Sequence, residues 1–270
     1  MGRVFQEEPA VPSQAVAMRD VAFGAHERQK LDVYLPKNRK PHAAIVFFHG
    51  GGWKRGDRKL YRLLGTALTG RGYALIVPDY RVFPEARFPT FVEDAALAIK
   101  WVRDNAALFG GAPLFTMGHS AGAHIGALLS LDQSYLGAHG IDNSLLRGFI
   151  GLAGPYTLDP AKWDSTREIF AAAAPPEAAR PIKLVREGAA PMLLLHGAND
   201  KTVGVHNSEH FVDALRARGN AAELKVYHGI GHLEIIVAFA WPWRWRARVL
   251  DDTDEFVTAF SSPSLSRSRA

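Results

Sequence analysis

Short, wholly apolar segments alternate with longer segments of helical periodicity along most of this 270-residue chain. A short apolar run is typical of a strand buried on both faces, and helices between such strands are typical of parallel crossover connections. The alternation predicts a mostly parallel sheet with helices on both faces, within a single α/β domain over residues 1–270. The predicted strands are 43–48, 73–77, 114–117, 149–152, 192–195 and 224–227, the predicted helices are 59–69, 92–108, 121–131 and 207–218, and an antiparallel pair is predicted at 16–23 and 29–35.

The composition excludes several functional classes. Lys and Arg exceed Asp and Glu by 32 to 27, a net charge of +5 that is too small to indicate a nucleic-acid partner. The chain has no cysteine, which excludes disulfides, zinc–thiolate sites and thiol catalysis. The longest apolar stretch, 235–241, is far shorter than the roughly 20 residues of a membrane span, and the first residues lack the apolar core of a signal peptide. We therefore expect a cytoplasmic protein without a membrane span, and a homodimer is left open.

The pentapeptide Gly118-His119-Ser120-Ala121-Gly122 lies between a predicted buried strand and a predicted helix. In a G-x-S-x-G turn the two glycines make room for a sharp bend that raises the serine hydroxyl above the sheet edge. A chance occurrence of the pentapeptide is disfavoured by this strand–turn–helix context. Ser120 is therefore the predicted nucleophile.

The segment His49-Gly50-Gly51-Gly52-Trp53 follows an earlier predicted strand. Consecutive glycines allow backbone N–H groups to approach a developing oxyanion closely. A phosphate-binding loop is the alternative, but no Gly-Lys-Ser/Thr follows the glycines. We assign the oxyanion donors to the N–H groups of Gly51, Gly52 and Ala121.

A serine nucleophile needs a base, and the base needs an acid that orients it. Asp200 lies in the loop after predicted strand 192–195, and His232 lies in the loop after predicted strand 224–227. Because the carboxyl ends of parallel strands share one sheet edge, both side chains are expected near Ser120. The order Ser, Asp, His is also the chain order of α/β-hydrolases.

Two alternatives concern these acid and base residues. His228 and His232 stand four residues apart, as metal ligands on a helix do, but Gly229 and Gly231 disfavour a helix and no Glu follows His228. No metal or other cofactor is therefore expected. Asp159 competes with Asp200 as the acid, although a turn or capping role explains Asp159 as well.

The motifs together resemble the α/β-hydrolase superfamily, in particular the small bacterial esterases and kynurenine formamidases of the hormone-sensitive-lipase-like carboxylesterase group. The resemblance covers about 31–260 and rests on these segments: 31–36, 49–53 with 56–57, 79–81 with 88–89, 118–124, 196–200 and 231–232. It implies a two-step acyl transfer through an acyl-enzyme on Ser120. The chain departs from the commonest pattern at 82–85, where Val-Phe-Pro-Glu replaces Leu-Ala-Pro-Glu.

The expected function is hydrolysis of small to medium carboxylic esters. The alternatives are an arylformamidase that hydrolyses N-formylkynurenine and, on the same fold, a non-catalytic ligand-binding protein. Trp53 and His119 are candidate walls of a pocket for the small-molecule ester or amide substrate. His119, His124 and His196 are each also explained by a structural role, and His119 is a pocket candidate because it adjoins Ser120. The segment of about 156–190 is long enough for one or two short cap helices but not for a lid domain, which predicts an open pocket.

The segment 241–248 interleaves three tryptophans with three arginines. Such a pattern also occurs at nucleic-acid and membrane-surface contacts. Pro242 interrupts any amphipathic helix, and basic clusters are usually solvated. A packed surface turn with stacked arginines is therefore the favoured interpretation.

Overall fold

The computed structural model describes residues 16–160 and 162–262, and one eight-stranded sheet organises them. The order across the sheet is β1-β2-β4-β3-β5-β6-β7-β8, in which β1 and β2 are antiparallel additions and the six strands from β4 to β8 run parallel. The predicted mostly parallel α/β architecture is thus confirmed. The strands are Val16–Ala22 (β1), Lys30–Tyr34 (β2), Ala44–Phe48 (β3), Ala74–Pro78 (β4), Leu114–His119 (β5), Leu146–Leu152 (β6), Met192–Gly197 (β7) and Ala222–Tyr227 (β8).

Helices connect the parallel strands and cover both faces of the sheet. They bury apolar clusters that contain Val46 and Ile76 on one face and Ile45 and Leu75 on the other, because successive strand residues point to opposite faces. The helices are Arg62–Gly70 (α1), Thr90–Asp104 (α2), Ala121–Leu131 (α3), Gln133–Gly137 (α4), His206–Ala217 (α5), Glu234–Val237 (α6) and Val249–Ser261 (α7). None of the helices in 16–160 and 162–262 is long and apolar enough to cross a membrane.

Two predicted helices are each divided in the structure. The helix predicted at 59–69 begins with a 3-10 turn, Arg58–Tyr61, before α1, because the Asp57 carboxylate accepts the N–H of Lys59 and caps that turn. The helix predicted at 92–108 is interrupted at Asn105, whose side-chain amide donates to the carbonyl of Trp101 and closes α2. A second 3-10 turn, Ala106–Phe109, follows.

A buried ionic cluster joins the antiparallel strands to the first connection of the parallel sheet. The Arg58 guanidinium contacts the carboxylates of Asp20, Asp32 and Asp79, and His49 Nε2 lies 3.2 Å from Asp79 Oδ1. Burial alone would raise the pKa of Asp79, but the neighbouring His49 imidazole, the backbone N–H of Arg58 and the charge of Arg58 outweigh burial and keep the pKa below its usual value. The loop that starts at His49 is therefore held in place by the contact between His49 and Asp79, which Arg58 also binds.

The ionic cluster predicts a large stability effect. Asp79→Asn should lower the free energy of unfolding at pH 7 by about 3–5 kcal/mol, because Arg58 would remain buried with one carboxylate fewer. The folded pKa of Asp79 lies below its unfolded value, so the carboxylate stabilises the protein above that unfolded value, about 3.9, and loses this effect as the pH falls through the folded pKa. Urea unfolding should therefore show the difference between wild type and variant shrinking below about pH 4.

Asp104→Asn is the matched control for this measurement. Asp104 pairs with Lys100 and Arg103 on the surface of α2, where water screens the charges. The control should leave the unfolding midpoint nearly unchanged. An equal loss of stability in the two variants would contradict the structural importance of the Asp79 cluster.

Candidate active site

The side chains singled out in the sequence meet at one edge of the sheet. Strands β3, β5, β7 and β8 are parallel, so their carboxyl ends lie along the same edge. The glycine loop, residues 49–53, follows β3, and Ser120 follows β5. Asp200 and His232 lie in the loops after β7 and β8. The carboxyl edge of a parallel sheet is where α/β proteins usually bind ligands.

Ser120 occupies a strained turn between β5 and α3. Its backbone angles, φ 54° and ψ −119°, lie in a region that residues with a Cβ seldom adopt. The two glycines are sterically required, since a Cβ at Gly118 would lie 2.3 Å from the Gly122 carbonyl oxygen and one at Gly122 would lie 2.0 Å from that of Phe48. The turn therefore holds the Ser120 hydroxyl above the sheet edge.

His232 bridges Ser120 and Asp200. Its Nε2 lies 2.9 Å from Ser120 Oγ, and its Nδ1 lies 2.7 Å from Asp200 Oδ2. Because a carboxylate only accepts, Nδ1 carries the hydrogen and Nε2 can accept the proton of the hydroxyl. Both distances are within the reach needed for proton transfer between a nucleophile and its base.

Asp200 is held as a buried carboxylate. Its Oδ1 accepts the backbone N–H groups of Thr202 at 2.8 Å and Val203 at 2.9 Å, and its Oδ2 lies 3.4 Å from His196 Nε2. Burial on its own would raise the pKa of Asp200, but the imidazoles of His196 and His232, together with the backbone N–H of Val203, hold the pKa well below its usual value. Asp200 therefore remains charged throughout the neutral and mildly acidic range.

The glycine loop passes directly over the Ser120 turn. A Cβ added to Gly50 would lie 3.3 Å from Ser120 Cβ, and Gly51 has a φ of 134° that leaves its Cβ position 1.9 Å from the Arg55 carbonyl oxygen. Within residues 16–160 and 162–262, the N–H groups of Gly51, Gly52 and Ala121 donate no hydrogen bond. They are thus available to an oxygen bound beside Ser120.

The competing acid lies in a different environment. The carboxylate of Asp159 pairs with Lys162 at 3.6 Å and with Arg180 at 3.8 Å, within the connection between β6 and β7. It is Asp200 that the structure places on His232. No group of three or more histidine or acidic side chains in the described part of the chain could hold a metal ion.

The two candidate pocket residues are both buried and make contacts within the protein. Trp53 is 4% exposed and packs edge-to-face against His124 and Phe170. His119 is 2% exposed, and its Nε2 lies 2.8 Å from the backbone carbonyl oxygen of His232. No sequence pattern indicates this contact, because the acceptor is a main-chain atom 113 residues away.

The segment between β6 and β7 contains two 3-10 turns, Pro176–Ala179 and Pro181–Leu184, in place of longer helices. His124 fixes the first turn, since its Nε2 donates to the Ala179 carbonyl at 2.8 Å. A separate cavity of about 1340 Å³ lies at the amino ends of β6, β7 and β8. That cavity is on the opposite sheet edge from Ser120 and takes no part in the candidate site.

The tryptophan–arginine segment is not packed as predicted. Trp241, Trp243 and Trp245 are 55%, 42% and 82% exposed around a 3-10 turn, Trp243–Arg246. The core beneath the segment is filled instead by flanking apolar residues, among them Phe239. The arginines bind acceptors of the protein, as Arg246 pairs with Glu234, Arg248 pairs with Glu255 and Arg244 donates to the Phe239 carbonyl.

Comparisons with known proteins show which families the chain resembles. Residues 31–146 match the BD-FAE family model, and residues 148–256 match the model of the prolyl oligopeptidase family. The chain is 33% identical over 249 residues to isoprenylcysteine alpha-carbonyl methylesterase ICME of Arabidopsis thaliana, covering 81% of this chain and 57% of that protein. It is 32% identical to esterase LipC of Mycobacterium tuberculosis, covering 82% of this chain and 58% of that protein. The chain thus spans less than two thirds of the length of these relatives.

A formamidase and an esterase structure are also similar. Kynurenine formamidase of Drosophila melanogaster is 24% identical, covering 83% of this chain and 77% of that protein. The apo form of Thermogutta terrifontis esterase 2 superposes with a TM-score of 0.76 at 27% identity, covering 96% of this chain and all of that one. The same esterase with bound propionate gives 0.74 at 28% identity, covering 95% of this chain and 98% of that one.

The glycine loop generates a prediction with an internal control. Gly51→Ala should lower kcat by about 100-fold or more, because the new Cβ would collide with the Arg55 carbonyl and shift the oxyanion donors. Gly52→Ala introduces a Cβ with no atom within 4 Å, so it adds only the backbone strain of its φ of 61° and should lower kcat less than Gly51→Ala. Steady-state hydrolysis of p-nitrophenyl acetate measures both. Equal losses of kcat would argue against Gly51 as the position that sets the loop geometry.

Proposed function

This chain is an α/β-hydrolase of the hormone-sensitive-lipase-like carboxylesterase group, and from that premise we propose that it is a serine hydrolase of small to medium carboxylic esters. The observation that carries the proposal is the bridge formed by His232 between Ser120 Oγ and Asp200 Oδ2. A serine, an imidazole and a buried carboxylate in this arrangement form a catalytic triad, in which the imidazole activates the serine hydroxyl and the carboxylate orients the imidazole.

In the first step, His232 Nε2 takes the proton of Ser120 as Oγ attacks the ester carbonyl carbon. The carbonyl oxygen becomes an oxyanion, and the N–H groups of Gly51, Gly52 and Ala121 stabilise it; one such donor is worth about 3–4 kcal/mol in the transition state. The intermediate then collapses, the carbon–oxygen bond to the alcohol breaks, and the imidazolium returns its proton to the leaving oxygen. The acyl group is left as an ester of Ser120.

In the second step, water replaces the alcohol. His232 Nε2 takes a proton from the water as its oxygen attacks the acyl carbon, and the same donors stabilise the second oxyanion. The bond between the acyl carbon and Ser120 Oγ then breaks, the His232 imidazolium returns its proton to Oγ, and the carboxylic acid is released. Asp200 stays ionised in both steps, because its two backbone N–H donors and two histidines favour the charge, and it stabilises each imidazolium as that ion forms.

The size class of the substrate is supported by the site's surroundings. Among the described residues of the connection between β6 and β7, the helical elements are two short 3-10 turns, which favours an open site. The relatives include two proteins described as methylesterase and esterase, and the similar Thermogutta terrifontis enzyme has been solved with propionate. All of these fit esters with small acyl or alcohol groups.

An arylformamidase is the second candidate, because kynurenine formamidases are among the relatives. The methylesterase and the esterase LipC are 33% and 32% identical to this chain, against 24% for the Drosophila melanogaster formamidase, which favours the esterase. A non-catalytic ligand-binding role is less consistent with a complete donor–acceptor chain at Ser120.

A cytoplasmic location and a homodimer also remain part of the proposal, and cell fractionation and sedimentation velocity would test them.

The proposed roles predict the results of substitutions. Ser120→Ala should lower kcat by about 10⁶-fold and Asp200→Asn by about 10⁴-fold, because the residues act as one unit and the amide cannot hold the productive tautomer of His232. The measurement is kcat for p-nitrophenyl butyrate, with melting temperatures to confirm folding. Asp159→Asn is the control and should retain activity. An inactive Asp159→Asn beside an active Asp200→Asn would reverse the assignment of the acid.

The choice between ester and formamide has its own prediction. A phenolate or alkoxide leaves with little help, whereas an amine must first be protonated by the His232 imidazolium. The site as described shows no group dedicated to holding an amide nitrogen, so kcat/KM for p-nitrophenyl acetate and butyrate should greatly exceed that for N-formylkynurenine. A formamide value equal to or above the ester values would replace the esterase by the formamidase.

A further inference from the structure

The end of β5 contacts the candidate site twice. Ser120 presents its hydroxyl to His232 Nε2 at 2.9 Å, and the preceding residue, His119, reaches the backbone carbonyl of His232 through its own Nε2 at 2.8 Å. The two imidazole rings have centroids 4.8 Å apart and are tilted by 43°. Two adjacent residues of one strand end thus bind the side chain and the main chain of the same histidine.

The chemistry of the contact fixes the state of His119. A carbonyl oxygen only accepts hydrogen bonds, so His119 Nε2 carries the hydrogen and donates it. Burial, with a smaller contribution from the neighbouring His232, lowers the pKa of His119 to about 3. His119 is therefore neutral at the pH of ordinary ester hydrolysis, so it adds no positive charge beside the imidazolium that His232 becomes.

The surroundings leave His119 little freedom. Its side chain is 2% exposed, and a Cβ added to Gly50 would lie 2.8 Å from His119 Nδ1. The ring thus fills the space between the glycine loop and the loop that carries His232. Within residues 16–160 and 162–262, His119 is the donor that the structure gives to the His232 carbonyl.

We propose that His119 is a positioning residue, whose Nε2–H holds the main chain of His232 so that the imidazole stays in line with Ser120 Oγ. The inference rests on the proposed function, and it assigns to His119 no contact with substrate. Asp200 fixes the rotation of the His232 ring, whereas His119 fixes the point from which that ring extends. Because a misplacement of about 1 Å can cost 100-fold in rate, loss of this bond should lower kcat.

The test compares two side chains of nearly equal shape. His119→Gln keeps an N–H donor at about the position of Nε2, and His119→Met fills similar space without a donor. We expect kcat for p-nitrophenyl butyrate to fall about 10- to 100-fold in His119→Met and to stay within about threefold of wild type in His119→Gln. KM should change little in either variant, because His119 does not touch the substrate.

His124 provides a control for burial. It is also a fully buried histidine whose Nε2 donates to a backbone carbonyl, but its acceptor is Ala179 in the connection between β6 and β7. His124→Met should lower the melting temperature about as much as His119→Met while lowering kcat far less. Equal losses of kcat in the two Met variants would reduce His119 to a packing role and overturn the proposal.

Other outcomes are also decisive. If His119→Gln is as slow as His119→Met, the imidazole itself is required and positioning by a donor is wrong. If His119→Met turns over at the wild-type rate, the bond has no effect and the proposal also fails. Should Met at 119 prevent folding, His119→Asn replaces it, since its shorter amide cannot reach the His232 carbonyl.

A second readout separates this proposal from the proposed function. The rate at which a fluorophosphonate modifies Ser120 also depends on the placement of His232, but it requires no ester turnover. Wild type that labels at Ser120 yet hydrolyses no ester would contradict the esterase function alone. The ratio of labelling rates between His119→Gln and His119→Met, expected to be about 10 or more, would still decide the role of His119.

Discussion

The backbone turn at Ser120 is the constraint on which the rest of the site depends. A positive φ at a serine costs of order 1–3 kcal/mol, and this conformation persists because the surrounding structure fixes it. Gly118 and Gly122 let β5, α3 and the end of β3 approach to distances that no Cβ would permit. The close approach brings the glycine loop over Ser120, so the proposed nucleophile and the proposed oxyanion donors are positioned by one packing arrangement.

The electrostatic design places a single fixed charge at the centre of the site. The Asp200 side chain is completely buried, yet two backbone N–H groups and His232 donate hydrogen bonds to its carboxylate, so the charge costs less than burial alone would impose. His119 and His124 on either side of Ser120 are neutral, since burial lowers the pKa of each, to about 3 and about 4. The Asp200 carboxylate therefore stabilises the positive charge that develops on His232. Neither His119 nor His124 carries a positive charge that would repel it.

The sequence predicted the sheet and the bridge between Ser120, Asp200 and His232 because those features follow local rules: apolar runs become buried strands, and chemistry collects where parallel strands end. Contacts to main-chain atoms leave no comparable pattern. The bond from His119 to the His232 carbonyl depends on how two loops pack, whereas the position of His119 beside Ser120 in the sequence indicated only a candidate pocket wall or a structural role. The exposed tryptophans of 241–248 were also missed, because the periodicity of a short aromatic segment does not show whether a neighbouring residue has already filled the core.

His119 and His124 attach two different loops to the same structural unit. Both extend from the β5–α3 unit, whose helix is buried along its whole length, and each donates to a carbonyl of a different loop. One holds the loop of His232, and the other holds the turn that contains Ala179. The connection between β6 and β7 is therefore attached to the same rigid unit as Ser120, but through a bond separate from the one that places the base.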